Sequence, residues 1–337
     1  MPRNPYYHGP VSDHFDGERF FIKDITRDKT REELWRWRTR GKRSHWPKHT
    51  PGAAYDHPPQ RVEGSALRVS YIGHASVLIQ TQGLNILIDP VWSQRASPVQ
   101  FVGPKRVNQP GIALENLPPL DAVLISHNHY DHMDLATLSR LAKDHAPRFI
   151  VPLGNDVIMR RHDKHIGAEA YDWGARVPLN GKLAVLLTPA YHWSARTLTD
   201  RRMALWCAFV LETPDGAIYC IADTAWGNGA IFSDVRMKHA PIRLAIIPIG
   251  AYEPRWFMRD NHVDPEEAVR IFQMCGARHA MAHHWGTFQL TDEPIEEPPR
   301  KLREALRSAE IDEARFRVLK PGGVFDVPEL VTLENAK

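Results

Sequence analysis

The chain has 337 residues, 43% of them hydrophobic and 25% charged, which is enough apolar material for a sizeable core and too balanced a charge for a disordered protein. The net charge of +3 is small, and no window comes near the run of about 18 apolar residues that a membrane-spanning helix needs. Three scattered cysteines, Cys207, Cys220 and Cys275, argue against a disulfide framework, whereas eighteen histidines direct attention to metal-ligand spacing.

Residues 1–65 read as an N-terminal arm, punctuated by Pro47, Pro51, Pro58 and Pro59 and running extended into a domain. Its basic residues Arg36, Arg38, Arg40, Lys42, Arg43 and Lys48 interleave with Trp35, Trp37 and Trp46. Such a patch suits anionic lipid headgroups or a nucleic acid; equally, it suits a solvated basic helix whose tryptophans pack on the main domain. No apolar signal segment follows Met1-Pro2-Arg3-Asn4-Pro5, so the expected location is cytoplasmic, with peripheral membrane contact through the arm left open.

The compact domain is expected over residues 66–337. Short β-rich runs recur at 68–72, 76–80, 84–88, 122–126, 148–151, 182–188, 205–211, 217–222, 243–248 and 278–282, with hairpin signals at Gln82-Gly83 and Pro214-Asp215-Gly216. Helical patterns fall at 135–143, 156–165, 230–238 and 301–309. The best marked helix starts after Asp264, with Pro265 at its first position and Glu267 completing a capping box. Hairpins followed by alternating strands and helices occur twice, which suggests an α/β fold of two packed sheets with helices outside, a four-layer αββα sandwich. Periodicity alone does not separate that arrangement from other α/β folds.

Chemistry concentrates after the apolar run Ala122-Val123-Leu124-Ile125, where His127, His129, Asp131 and His132 follow within a few residues. In an extended turn alternate side chains point the same way, so His127 and His129 can grip one ion while Asp131 and His132 turn toward a second. Zinc suits imidazole and carboxylate ligands. Further candidates stand at the ends of other strands: His192 after 184–188, Asp223 after 218–222 and His284 after 280–282. Each alone reads as an ordinary histidine or cap; together with the first cluster they read as one metal rim.

The run His-x-His-x-Asp-His, with a later His, an Asp and a final His, resembles the metallo-β-lactamase superfamily. The resemblance implies the metallo-β-lactamase fold and two Zn2+ ions per chain, the first held by His127, His129 and His192, the second by Asp131, His132 and His284, with Asp223 bridging. Longer matches reach beyond the ligands: residues 96–106, 118–126, 249–258 and 284–288, His192-Trp193 with Arg196-Thr197-Leu198, and His262-Val263-Asp264-Pro265. These are similar to the N-acylphosphatidylethanolamine-hydrolysing phospholipase D family. That resemblance implies a phosphodiesterase releasing phosphatidic acid and an N-acylethanolamine through a metal-bridging hydroxide. Where animal members carry Tyr after the Gln of the 96–106 loop, this chain has Phe101, which removes a hydroxyl from the implied substrate cleft.

The catalytic residues expected are Asp131, Asp223 and His262, and those contacting substrate are Gln100, Phe101 and His262. Asp89, at the end of 86–88, either orients a histidine ligand or is a turn residue before Pro90. His74 is a supporting residue or a core hydrogen-bonding group. His283 should turn away into strand packing, and His14, His45, His49, His57, His162 and His165 should lie at the surface. Lys105 and Arg106 either attract an anionic phosphate or form a solvated loop. A lactonase or other metal-dependent ester hydrolase of the same superfamily is the alternative activity. The expected partners are a phospholipid or other small-molecule ester and a second copy of the chain; no nucleic acid is expected.

Overall fold

The computed structural model describes residues 4–23 and 28–330; residues 1–3 of the expected arm and 331–337 of the expected domain lie outside the described residues. In the arm, α1 (Arg31–Arg40) is a single helix closed at its start by a capping box between Thr30 and Glu33. Six strands then build the first sheet: β1 (Leu67–Gly73), β2 (Ser76–Thr81), β3 (Leu84–Ile88), β4 (Ala122–Leu124), β5 (Arg148–Pro152) and β6 (Ala168–Tyr171). Antiparallel hairpins link β1 to β3, and from β3 onward the strands run parallel. The crossovers carry α2 (Leu135–His145) and α3 (Asn155–His162).

The second sheet repeats the plan. Its strands are β7 (Arg176–Pro178), β8 (Ala184–Thr188), β9 (Ala208–Glu212), β10 (Ala217–Cys220), β11 (Ile242–Pro248), β12 (His279–His283) and β13 (Phe316–Arg317), antiparallel to β10 and parallel beyond it. Between them run α4 (Ala230–His239), α5 (Arg255–Met258), α6 (Pro265–Cys275) and α7 (Glu297–Ser308). A last strand, β14 (Val324–Asp326), returns to the first sheet beside β1.

Strand alternation produces the layers. Val77 and Ile79 of β2 face the layer between the sheets, where they join Phe209, Leu211, Ile218, Ile246 and Met281 of the second sheet. Leu78 between them joins the outer layer under α2 and α3, with Leu138, Leu141, Ile158 and Met159. On the other side Tyr219, Ala245 and Ile247 pack beneath Phe232 of α4, Phe272 of α6 and Leu302 of α7. The chain is thus a four-layer αββα sandwich, and the C-terminal ends of β3, β4, β8, β10 and β12 carry the residues singled out from sequence.

The expected strands differ from the observed ones where burial and pairing separate. Residues 205–207 are apolar because they are buried, yet Leu205 and Cys207 donate their amides across to Leu153 and Ser126 rather than to a sheet neighbour, so β9 begins at Ala208. The edge strands β6, β7, β13 and β14 escaped the sequence reading because they are short, and β6, half-buried throughout, shows no alternation. The helix expected over 301–309 begins earlier, at Glu297 of α7, because proline is accepted in a first turn and Pro298 and Pro299 fall there.

The arm does not run free and extended. Phe15 and Phe20 are buried in the core beneath α4 and α6, and Asn4 donates to the carbonyls of Glu18 and Met203. Trp37 stacks on Phe257 at 4.9 Å, Trp46 donates to the Glu293 carbonyl, and Trp35 remains exposed. Among the described residues, no helix is long and apolar enough to cross a membrane.

Candidate metal centre

The strand ends bring seven ligand-type residues together. His127 Nε2 and His192 Nε2 lie 2.8 and 3.3 Å from His129 Nδ1, and Asp223 Oδ2 is 3.9 Å from His127 Nε2 and 3.6 Å from His192 Nε2. Beside this group, Asp131 Oδ2 sits 3.6 Å from His132 Nε2 and 3.3 Å from His284 Nε2. Asp223 reaches this second group as well, with Oδ2 3.2 Å from His132 Nε2 and Oδ1 3.0 Å from His284 Nε2. Within each group the donor atoms lie within 4.8 Å of one another.

The outer partners fix which ring nitrogen carries the proton. His132 Nδ1 donates to Asp89 Oδ2 at 2.7 Å and His192 Nδ1 to the Asn261 carbonyl at 3.0 Å; both oxygens only accept. Ser126 Oγ gives its own proton to Asp89 Oδ2, so it accepts from His127 Nδ1 at 2.9 Å. All three rings therefore turn bare Nε2 lone pairs inward. His132 Nε2 and Asp223 Oδ1 are buried there without a properly aligned hydrogen bond. Lone pairs that converge in this way repel one another unless protons or a cation sit among them, and imidazole nitrogen with carboxylate oxygen is a zinc-type donor set. The residues fit the metal that the ligand spacing implied.

The electrostatics agree. Burial depresses His127 and His192 well below the ordinary imidazole range, and neighbouring histidines push them further, so both are neutral and free to coordinate. At His132 burial works the same way, but Asp223, Asp131 and Asp89 outweigh it and hold the ring well above its usual value. His284 is likewise lifted to about 9, chiefly by Asp223 against the cost of burial. Despite their own burial, Asp131 and Asp223 are held well below the usual carboxylate range by the histidines around them. The pocket thus places a strong demand for positive charge at the point where the lone pairs meet.

Supporting residues hold these groups still. Asp89, 1% exposed, accepts from the Ser126 amide at 2.7 Å as well as from Ser126 Oγ and His132, and so holds the His132 ring in place. His74 Nε2 donates to Asp131 Oδ2 at 2.9 Å, and the His74 carbonyl receives the His284 amide at 2.8 Å. His74, Asp89 and His284 all have left-handed backbones, with φ of 55, 41 and 58°. Each costs a non-glycine residue about 1–2 kcal/mol, a strain concentrated where side chains must converge.

A profile of the beta-lactamase superfamily domain matches residues 84–285, a span that takes in all seven. The chain belongs to the beta-lactamase superfamily. It is 35% identical over 277 residues to N-acyl-phosphatidylethanolamine-hydrolyzing phospholipase D 1 of Caenorhabditis elegans, covering 79% of this chain and 77% of that one. With the mitochondrial N-acyl-phosphatidylethanolamine-hydrolyzing phospholipase D of Saccharomyces cerevisiae it shares 33% identity over 246 residues, 71% of this chain and 52% of that protein. The crystal structure of an isothiocyanate hydrolase from Delia radicum gut bacteria superposes with a TM-score of 0.60 at 19% identity, over 77% of this chain and 98% of that one, a likeness of fold alone. As a member of the beta-lactamase superfamily, the chain is a metal-dependent hydrolase whose histidine–aspartate clusters are of metal-binding type.

Other sequence expectations fare unequally in this superfamily fold. His262 stands at the rim of the cluster, its ring 5.1 Å from that of His192 and its Nδ1 3.9 Å from Asp223 Oδ2 without a hydrogen-bond partner. Gln100 Oε1 accepts from the Arg95 amide, and Phe101 is 81% exposed. Arg106 is no phosphate attractor, because its buried guanidinium donates to the carbonyls of Ser93 and Val91. Lys105 is exposed.

Of the histidines expected at the surface, His45, His49, His57, His162 and His165 are exposed, but His14 is half-buried between Asp13 and Asp172 and packs on Trp173. His283 turns away as expected and donates to the Ile221 carbonyl. The sequence reading gave no role to Ser126, Asn261 and Arg196: Ser126 Oγ and the Asn261 carbonyl bond the His127 and His192 rings, Arg196 bonds the carbonyls of Asn128 and Met133, and none of the three is of ligand type. A groove of about 520 Å3 between α6 and α7 contains none of these residues; its lining alternates Glu, Lys and Arg, so volume points away from the chemistry.

Proposed function

We propose that the chain is a two-zinc phosphodiesterase of phospholipase D type that hydrolyses N-acylphosphatidylethanolamine-like phospholipids to phosphatidic acid and N-acylethanolamine. What carries the reading is the 35% identity, over most of both chains, with a relative named for that activity. His127, His129, His192 and Asp223 would hold one ion, and Asp131, His132, His284 and Asp223 the other. When bound, zinc supplies Lewis acidity toward the phosphoryl group and lowers the pKa of its water to about 7.

The chain's own groups do the rest. Asp131, fixed through Oδ2 by His74, is placed to hold the attacking water by a proton. Asp223 stands between the two ligand groups, and His262, with Nδ1 free, is placed to donate to a non-bridging phosphate oxygen. The water oxygen bonds to phosphorus, the bond from phosphorus to the ethanolamine oxygen breaks, and that oxygen departs with a proton.

Zinc-loaded protein should release phosphatidic acid from N-acylphosphatidylethanolamine, and His262→Ala should slow that release about 100-fold or more while keeping its metal. Turnover of lactones or carboxylic esters with none of the phosphodiester would replace this reading by the lactonase one.

The arm supplies the membrane contact in this reading. No residue of α1 is buried, and by helical period Arg31, Leu34, Trp35 and Arg38 share one outward stripe, with Leu34 44% and Trp35 60% exposed. The opposite side is anchored by Trp37 on Phe257 and Arg36 over Trp256. Indoles suit the headgroup layer, and each arginine near an anionic surface contributes about 1 kcal/mol. The protein is expected to sediment with phosphatidylglycerol vesicles but not with phosphatidylcholine vesicles, and Trp35→Ala to sediment markedly less. Equal sedimentation with both lipids, or by variant and wild type, would remove the arm from the account.

A further inference from the structure

Four of the seven candidate ligands stand on residues 127–133, a loop without regular pairing of its own. One side chain closes it. Arg196 Nη1 donates to the carbonyls of Asn128 and Met133, each at 2.9 Å, and so spans the loop from near its start to its end. The same guanidinium lies 4.1 Å from the centre of the Tyr130 ring, and the Tyr130 hydroxyl donates to the Arg196 carbonyl at 2.7 Å.

Arg196 comes four residues after His192, on a strap over residues 192–203 that leads into the second sheet. The strap is itself pinned. Buried Asp200 accepts the amides of Arg196 and Thr197 through Oδ1, and its Oδ2 accepts from the Tyr6 hydroxyl of the arm at 2.8 Å. Arg196 therefore clasps the loop bearing His127, His129, Asp131 and His132 to the segment bearing His192, without touching any ligand atom.

We propose that Arg196 is a positioning residue for the metal centre: it sets the span between the two halves of the ligand set, and metal affinity depends on it. One guanidinium nitrogen, Nη1, meets both carbonyls while the planar group lies on an aromatic face, a combination that the point charge of lysine cannot reproduce. Loss of the guanidinium leaves two carbonyls of a largely buried loop without their donor and frees the loop to open. The inference rests on the metal reading above.

The test compares wild type, Arg196→Met and Arg196→Lys, each stripped of metal and retitrated with zinc against a chromophoric chelator, with melting temperatures measured in both states. Arg196→Met should bind zinc about 10–100-fold more weakly, Arg196→Lys should fall between it and wild type, and the melting gap between loaded and stripped protein should narrow. A purely structural arginine would lower both melting temperatures together and leave the affinity within about twofold, and that outcome overturns the proposal. Wild type that takes up no zinc overturns the metal reading instead. If Arg196→Met does not fold, Tyr130→Phe, which deletes only the hydroxyl bond to the Arg196 carbonyl, serves in its place; weaker zinc binding is expected, and unchanged binding counts against the clasp.

Discussion

Asp223→Asn is expected to cut hydrolysis at least about a thousandfold and to leave the protein short of metal after dialysis. The argument is positional. One carboxylate, 2% exposed, presents Oδ2 to His132, His192 and His127 and Oδ1 to His284, so it is shared by both ligand groups. Asparagine keeps the volume but removes the charge and one acceptor. Loss of a group that only orients a ligand already costs about 10–100-fold in metal affinity, and loss of a ligand common to two sites should exceed that. The stripped variant should still fold, because His132 and His284 can release the protons that Asp223 helps them keep. Elemental analysis after dialysis, paired with the hydrolysis rate, decides the matter: wild-type metal content with activity within about tenfold would remove Asp223 from the site.

Asp89→Asn tests the layer beneath. Asp89 accepts three hydrogen bonds, from the Ser126 amide, Ser126 Oγ and His132 Nδ1. Asparagine can still accept from the Ser126 backbone amide, but the amide group that replaces Oδ2 now faces both Ser126 Oγ and His132 as a donor. The ring must then accept at Nδ1 and carry its proton on Nε2, where the lone pair for the metal has to be. A wrong tautomer in otherwise intact geometry is as damaging as a missing group. Zinc affinity should fall about 10–100-fold or more while the melting temperature of the stripped protein stays close to wild type. If the stripped proteins melt alike and zinc binds alike, the orienting role of Asp89 is lost. Asp89→Glu offers a contrast, since it keeps the charge but adds a methylene to a buried side chain already bonded to Ser126 and His132, and should lower stability as well.

The candidate ligand set was readable in sequence because metal chemistry restricts residue type so sharply that His127, His129, Asp131 and His132 stand out against any background. Their partners His192, Asp223 and His284 were readable only through the rule that each follows an apolar strand. The capping box at Asp264 was legible for the same local reason and appears intact at α6. What stayed hidden is what depends on distant backbone. Arg106 looks like any surface arginine until its contacts with the carbonyls of Val91 and Ser93 are seen, and Arg196 shows no sign of its hold on Asn128 and Met133. His14 reads as a surface histidine because Asp172 and Trp173, its partners, lie far along the chain. Gln100 and Phe101 were placed near substrate by resemblance alone, and both side chains are exposed. Apolar residues 205–207 mark the general limit: hydrophobicity reports burial, and pairing is a separate matter.

The pairing of β14 with β1 has a bearing on synthesis. Residues 324–326 close the outer edge of the first sheet against residues 68–70, and the buried Arg243 guanidinium fastens the chain just beyond by the carbonyls of Val327 and Pro328 and that of Ser65. As the polypeptide leaves the ribosome, β1 to β6 emerge early, with the amides and carbonyls of β1 bare along one side until some 250 further residues have followed. An unpaired strand of that kind recruits other strands, including those of neighbouring nascent chains. Removing β14 would therefore harm yield and solubility before it altered a single group of the candidate metal centre.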